Sequence, residues 1–467
     1  MEILATKRYA EKIININMQI NAELFNKRDE LIDYLKQLPY HKQLRTAQWQ
    51  ELKTIEKALS NNITRIEFDF CAERGFNPNP DPLTSFLTYD PTITILARDV
   101  KRIPKLLVTE QFRNYVDSYK PDRYEEVANL DIQIEGDVRL AMNLLSFMAH
   151  AYLWGGKEPA TVLPAVIAVP WCAIAKKMGR PPIQSYASYA LDNWYKIDSR
   201  NPIALDNIAL IQNFLGGVDE EWFTMIHIVM EAQAGPAMLA TYNALNAAKA
   251  NEWQAVNNCL YTIANSLENV YNTFCRMQEK CDPYIYYNRV RPYIFGTLNN
   301  PDLPDGLIYE GVEEFEGKPQ QFRGETGAQS SIIPALDGAL GIVHEKDVLR
   351  EYLMEMRDYM PPKHRAFIEW CEANGNLRQH VEEHDLTHAY NSCIGWMEAF
   401  RTKHLEFAGT YIHKQSQTTS SIGSGGSTIY GTGGTPFMKY LKKHRDETIK
   451  VEEIDPEDLL MPDLGDP

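Results

Sequence analysis

The sequence predicts an all-α protein in which a smaller N-terminal helical domain packs on a larger helical domain. Two observations carry that expectation. Apolar residues recur at spacings of three and four along most of the chain, which places them on single helix faces. The chain is also long, with 467 residues of which 44% are hydrophobic, more than one ordinary core requires. The expected division is a helical extension over residues 1–60, a small domain over 61–212, a large domain over 213–447 and an acidic tail over 448–467.

Taken in order, residues 22–60 read as two polar amphipathic helices around Pro39. Residues 77–104 carry Pro78, Pro80, Pro82, Pro91 and Pro104, which predicts an extended, turn-rich segment. Residues 135–154 and 184–195 read as helices. Residues 199–219 mix Asn, Pro and Gly and read as the linker between domains. Residues 220–247 read as a helix broken or kinked at Gly235-Pro236, because proline lacks the N–H that a helix interior uses. Residues 251–279 read as another long helix. Residues 296–330 read as irregular, with turns at Asn299-Asn300-Pro301 and Pro304-Asp305-Gly306. Residues 386–413 hold no proline and only Gly395 and Gly409, so they read as one long helix. The Ser/Thr/Gly-rich stretch 415–434 reads as a flexible loop, and the acidic residues 448–467 read as disordered.

Composition narrows the function classes. The net charge is −16 and the pI is near 5.2. Such a surface repels phosphate backbones and anionic lipid, so neither nucleic acid nor membrane is an expected partner. The seven cysteines (Cys71, Cys172, Cys259, Cys275, Cys281, Cys371 and Cys393) are odd in number and form no CxxC. They read as reduced thiols. Residues 1–21 lack the apolar core of a signal peptide. The longest apolar stretch, residues 161–175, holds two prolines and is too short to span a bilayer. A soluble, cytoplasmic protein is expected.

The most informative residue is His404. Ala389, Cys393, Met397, Phe400, His404, Ala408 and Tyr411 share one face of the helix expected over 386–413, with Arg401 one turn before His404 at its edge. A neutral imidazole among apolar groups needs a partner for its lone pair. One such partner is a metal, and haem iron is held this way. For a lone histidine on such a stripe, a hydrogen-bonded core position is the plainer reading.

Neighbouring segments change that balance. Phe322-Arg323-Gly324 leads into Ala328-Gln329-Ser330-Ser331, Asp337 and Leu340-Gly341-Ile342. Then come Met356-Arg357, Tyr359-Met360-Pro361-Pro362, His364-Arg365, Leu377-Arg378, Ala389-Tyr390-Asn391, Arg401 and His404. Tyr411-Ile412 and Gly431-Thr432-Gly433-Gly434-Thr435 close the series. Upstream lie Gly75-Phe76, Trp154-Gly155, Leu163-Pro164, Pro181-Pro182-Ile183, Asn193-Trp194 and Arg291-Pro292-Tyr293. In this order and spacing, over roughly residues 70–448, the chain resembles the indoleamine 2,3-dioxygenase family, which oxidises tryptophan at a b-type haem.

The resemblance implies a haem in the larger domain, with His404 as the proximal iron ligand. It implies that Arg401 and Asp337 pair near a haem propionate, where the cation offsets the propionate charge and the carboxylate fixes the guanidinium. Thr326 would offer that propionate a hydroxyl. On the substrate side it implies that Arg291 binds the substrate carboxylate with its guanidinium fork, that Tyr286 packs on the substrate, and that Tyr287 lies beside it. His227, on the apolar helix over 222–234, matches a distal position where animal members carry a small hydroxyl residue. An imidazole there is able to hydrogen-bond the indole N–H or dioxygen. Phe223, Tyr186, Tyr189 and Ala190 match other distal-pocket positions. Thr432 and Gly433 belong to the loop that closes over the pocket in the family.

Two departures stand out. Tyr189 replaces a small thiol, and Gly324-Glu325-Thr326-Gly327 replaces the family's Gly-Gly-Ser-Ala. Glu325 thereby adds a carboxylate near the expected substrate ammonium, with Gly327 beside it. The implied reaction uses dioxygen to open the indole ring of L-tryptophan, or a related indole, to N-formylkynurenine. The alternatives are haem-dependent oxidation of a different tryptophan-like substrate, as in the pyrrolnitrin-pathway relative, and a non-catalytic haem- or indole-binding protein. A separate pattern, His380-Val381-Glu382-Glu383-His384 with His388 one turn on, fits the H-x-x-E-H arrangement of zinc proteases. With no further zinc context around it, a solvated His/Glu face is the expected account.

Overall fold

The computed structural model describes residues 47–418 apart from 89, 346–347, 376 and 382, together with 431–432, 437–449 and a few positions between 23 and 31. The fold is all-α, and the strands among the described residues form only two two-stranded pairs. In chain order the main elements are α1 (Ala47–Phe68), α2 (Pro91–Val100), α3 (Glu135–Trp154), β1 (Val162–Leu163) and α4 (Ala165–Met178). Then follow β2 (Trp194–Lys196), β3 (Ile208–Leu210), α5 (Val218–Lys249), α6 (Trp253–Cys275) and β4 (Ile308–Tyr309). The series ends with α7 (Ile332–Leu340), α8 (Pro362–Asn374), α9 (Thr387–Ala408) and α10 (Phe437–Ile449). β1 pairs with β4 in parallel, and β2 with β3 antiparallel.

Two apolar clusters hold these elements together. One joins α5, α6, α7, α8 and α9 through residues such as Met238, Leu260, Leu336, Phe367 and Met397. The other joins α2, α3 and α4 through Leu96, Phe147 and Trp171, and draws in Leu307 and Tyr309 from much later in the chain. Each fully buried side chain of this size contributes about 1.5–3 kcal/mol. α5 packs on α6 and α6 on α9, which sets three long helices around a common interior.

Several sequence expectations need correction. Prolines do not keep 77–104 extended. Pro91 opens α2, where its missing N–H has no intrahelical role, and the Asp90 carboxylate accepts from the Thr92 N–H at 2.7 Å. The helix expected over 184–195 shrinks to one π-helical turn, Ala187–Leu191, followed by β2. Side chains from elsewhere take up its backbone groups. The Tyr186 N–H donates to Gln329 Oε1 at 2.8 Å, the Gln184 N–H to His150 Nε2 at 3.0 Å, and Asn143 Nδ2 to the Ser188 carbonyl at 2.7 Å. The segment 199–219, expected as the linker between domains, is well packed. It carries β3, buries Phe214, and offers the Phe214, Leu215 and Gly216 N–H groups to the Glu220 carboxylate.

α5 also runs unbroken through Gly235-Pro236. Gly235 lets the loop before α2 rest directly on the helix backbone, since a Cβ there would lie 2.4 Å from the Ala72 carbonyl oxygen. α1 continues to Phe68, past the boundary expected at residue 60, and the earlier of the two N-terminal helices lies almost wholly outside the described residues. The long helix expected over 386–413 is α9 followed by a π-helical turn, Gly409–His413. Thr448, expected in a disordered tail, is fully buried in α10, and residues 450–467 lie outside the described residues. All seven cysteines are free. No helix among the described residues is long and apolar enough to cross a membrane.

Candidate functional site

α5, α6, α7, α9 and α10 wall a cavity of about 680 Å³. α5 contributes Phe223, His227 and Met230, α6 contributes Val270 and Phe274, and α9 contributes Phe400, Arg401, His404 and Phe407. These residues share one interior because helices repeat every three to four residues toward the same side.

His404 exposes its ring, but to this cavity rather than to bulk solvent. The rings of Phe274 and Phe400 lie 6.1 and 6.4 Å from it. No side-chain hydrogen bond satisfies it among the described residues. Crowding by protein costs the imidazolium its hydration, and His227 adds to that cost, so the pKa falls to about 4. His404 is therefore a neutral base with an available lone pair.

One turn earlier, Arg401 Nη2 donates to both carboxylate oxygens of Asp337, each at 2.8 Å. His344 Nε2 lies 3.2 Å from the same carboxylate, and Arg401 also bonds the Thr448 hydroxyl. Burial alone would raise the Asp337 pKa, but Arg401 and His344 outweigh it and hold it near 2. A charged, braced pair thus stands beside His404.

A different kind of wall faces the cavity from α5 and its neighbours. His227 Nδ1 lies 2.8 Å from the Phe223 carbonyl. A carbonyl only accepts, so Nδ1 carries the proton and Nε2 keeps its lone pair. Burial pushes the His227 pKa below the usual imidazole range. Its ring sits against Phe223 (4.6 Å) and Tyr186 (5.9 Å), and Tyr286 packs on Phe223 at 4.7 Å. Glu325 is 3% exposed and lines the cavity, yet its carboxylate makes no hydrogen bond or ion pair among the described residues. Burial raises its pKa to about 8. Thr326, Gly327 and Thr432 complete this side, with the Thr432 hydroxyl bonded to the Glu325 carbonyl and the Thr326 hydroxyl accepting from the Ala328 N–H at 3.3 Å. Gly433 lies outside the described residues.

Other expected site residues do not reach the cavity wall. Tyr189 packs between Phe147 (5.8 Å) and Phe214 (6.3 Å), where a ring of its size finds room. Ala190 is buried with Leu191 and Trp194. Tyr287 is buried, and Arg291 is 1% exposed with its guanidinium over the rings of Tyr287 (5.3 Å) and Phe295 (4.6 Å). Sequence reasoning also missed Glu231, which is fully buried and accepts from the Tyr186 hydroxyl at 2.9 Å and the Ser330 hydroxyl at 2.7 Å. Burial lifts its pKa to about 7. Its signal was an acid one turn after His227 within the apolar run 222–234. His344 and His444, also on the cavity wall, were missed. His380, Glu383 and His384 do meet, but at the surface, with the His384 ring stacked on Trp253 at 3.8 Å.

The cavity fits a haem. Its wall is mostly apolar and aromatic, an imidazole with no side-chain hydrogen bond among the described residues opens onto it, and a cation paired to a carboxylate stands one turn away. Comparison with known proteins agrees. The family model for indoleamine 2,3-dioxygenase matches residues 64–451. The chain is 35% identical to indoleamine 2,3-dioxygenase 1 of Rattus norvegicus, over 80% of this chain and 92% of the relative. It is 31% identical to indoleamine 2,3-dioxygenase 2 of Homo sapiens, over 75% and 86%. Against the indoleamine 2,3-dioxygenase of Saccharomyces cerevisiae it is 32% identical, over 71% and 83%. A match across most of the chain, joined to a cavity built around His404, makes this protein a member of the indoleamine 2,3-dioxygenase family of haem-dependent oxidoreductases.

Proposed function

We propose that the protein uses dioxygen to open the indole ring of L-tryptophan to N-formylkynurenine, as a step of tryptophan catabolism. The observation that supports this best is the contents of one cavity. An acceptor nitrogen (His227), aromatic surfaces (Phe223 and Tyr286) and an uncommitted carboxylate (Glu325) share it with His404. His404 would hold the iron of a haem and Arg401 with Asp337 would hold a propionate, and the haem would supply the dioxygen chemistry directed at the indole C2–C3 bond.

The chain's own residues bind and orient. Nε2 of His227 accepts the indole N–H, because its other nitrogen already donates to Phe223. Tyr286 and Phe223 hold the ring plane. Glu325 takes the ammonium, and Arg291 takes the carboxylate. Glu325 lines the cavity, and Arg291 lies buried behind Tyr287. To make that contact the Arg291 guanidinium leaves the Tyr287 and Phe295 rings. The seven free thiols and the acidic surface suit a cytoplasmic setting.

A second reading rests on Glu325. A buried carboxylate with no cation among the described residues favours any indole that carries an alkylammonium group, with or without a carboxylate. The test is the product. Reduced, haem-loaded protein in labelled dioxygen should convert L-tryptophan to a species carrying both labelled atoms. If tryptamine alone is converted, the second reading replaces the first. If neither is oxidised by a haem-loaded protein, both readings are wrong.

A further inference from the structure

We propose that His344, His444 and Glu447 form a zinc site that fastens α10 to the segment after α7 at one end of the cavity. His344 follows α7, whereas His444 and Glu447 lie three residues apart on one face of α10. His344 is 5% and Glu447 8% exposed. The three offer ligand atoms that all lie within 4.8 Å of one another.

The surroundings of His344 point to a cation. Its Nε2 lies 3.2 Å from Asp337 Oδ2, and its Nδ1 lies 2.6 Å from Glu447 Oε2. With a proton on Nε2 donated to Asp337, the Nδ1 lone pair faces a carboxylate oxygen. Two electron-rich atoms that close need either a second proton or a metal ion between them. The neighbouring histidine favours the metal. The His444 ring lies beside that of His344, with centroids 4.2 Å apart and planes at 21°. One metal ion there engages both imidazoles and the carboxylate together.

Asp337 adds a second reason. A carboxylate behind a ligand imidazole fixes its tautomer and raises its basicity, and such partners typically strengthen metal binding by about 10–100-fold. Asp337 is itself held by Arg401. Lys443 Nζ lies 3.6 Å from Glu447 Oε1 and 3.0 Å from Glu345, so the other Glu447 oxygen remains turned to His344.

The donor set selects the ion. Two imidazoles and one carboxylate suit zinc, whereas calcium and magnesium favour shells made of oxygen. A tetrahedral zinc with bonds of about 2.0–2.2 Å separates its ligand atoms by roughly 3.3 Å. That lies between the 2.6 Å of the His344–Glu447 pair and the 4.8 Å limit of the group, so zinc entry parts that pair and turns one imidazole out of the stack. His344 and His444 both line the cavity, which leaves the fourth position toward it for water.

The cluster at His380, Glu383 and His384 serves as a built-in control. It has similar residue types within the same spread, but Glu383 is 71% exposed and the His384 ring stacks on Trp253.

The experiment uses the full-length haem-loaded protein, treated with a chelator that leaves haem iron in place and then dialysed against zinc sulfate. Zinc per chain is counted by elemental analysis, its affinity is titrated, and its X-ray absorption edge reports the donors. One tightly held zinc with imidazole and carboxylate donors is expected. His444→Ala and Glu447→Gln should each weaken it by roughly tenfold or more, while a His380→Ala/His384→Ala double variant should keep it. Haem absorbance and circular dichroism report whether each variant is folded. A folded parent that holds no zinc overturns the assignment. So does zinc that is lost only in the His380/His384 variant, or that binds equally well to folded His444 and Glu447 variants. None of these outcomes depends on turnover of an indole.

Discussion

The two sides of the cavity are built on opposite principles. On the His404 side, the charged pair is committed: Arg401 to Asp337, with Asp337 also held by His344. On the His227 side the polar groups are held in reserve. Among the described residues, His227 keeps a bare acceptor nitrogen and Glu325 a carboxylate with no cation. A buried unpaired charge is costly, so Glu325 takes up a proton up to about pH 8 unless a ligand brings the missing charge. The lesson is that a saturated wall suits a resident cofactor, whereas an unsatisfied wall suits a visitor.

The largest expected effect breaks the saturated side. His404→Ala should abolish haem-dependent turnover and alter or remove the histidine-ligated haem spectrum. An unchanged spectrum would mean that another residue holds the iron. Next come the charges assigned to the visitor. Arg291→Ala should weaken L-tryptophan by about 2–5 kcal/mol, the usual loss for a buried charge-assisted pair. It should leave haem content and tryptamine binding unchanged. Glu325→Gln should weaken both ligands alike. Equal L-tryptophan affinity in the Arg291 variant and the parent would return that arginine to a packing role between Tyr287 and Phe295.

A smaller effect is expected from loosening the brace without touching the ligand. Asp337→Asn should lower haem affinity by about 10–100-fold, in the range of other partners that orient a ligand. Haem transfer to apomyoglobin measures this, and an unaltered transfer rate would detach the Arg401–Asp337 pair from the cofactor. The smallest effect concerns His227. His227→Ala should narrow discrimination between L-tryptophan and its N1-methyl analogue by about 0.5–1.5 kcal/mol, the net worth of one hydrogen bond. The sign of the pH effect follows from the neutral ring. Burial lowers the His227 pKa, so the His227 contribution to kcat/KM is lost as pH drops through that lowered value, when Nε2 gains a proton, apart from the Glu325 titration at higher pH. The His227 variant should lack that acidic limb.

Much of this architecture was legible because it rests on local pattern. α3 spans the residues its periodicity marks, and the stripe of α9 delivers Phe400, His404 and Ala408 to the cavity. The misreadings came where distant groups decide local structure. Residues 184–195 carry a helical pattern, yet Gln329, His150 and Asn143 capture their backbone. Gly235-Pro236 reads as a break or kink, and the helix continues through it with the opposing loop packed where a side chain would have been. Tyr189 aligned with a pocket position, and its bulk took it to Phe147 and Phe214 instead. The His344–His444–Glu447 group joins segments about a hundred residues apart, as the separation of His344 from Glu447 shows, so no spacing rule reveals it.

The contact between α5 and the loop before α2 bears on how this site can diversify. A Cβ on Gly75 would lie 1.9 Å from the Glu231 carbonyl oxygen, and one on Gly235 would lie 2.6 Å from the Gly75 nitrogen. Main chain meets main chain there, with nothing soft between to give way. The helix that carries Phe223, His227 and Glu231 is thus anchored by atoms that mutation of a side chain cannot adjust. New specificity can arise by exchanging what hangs from this frame, at Phe223, His227 or Glu325. Widening the frame itself would require both glycines and their loop to change together, a step that single substitutions do not reach.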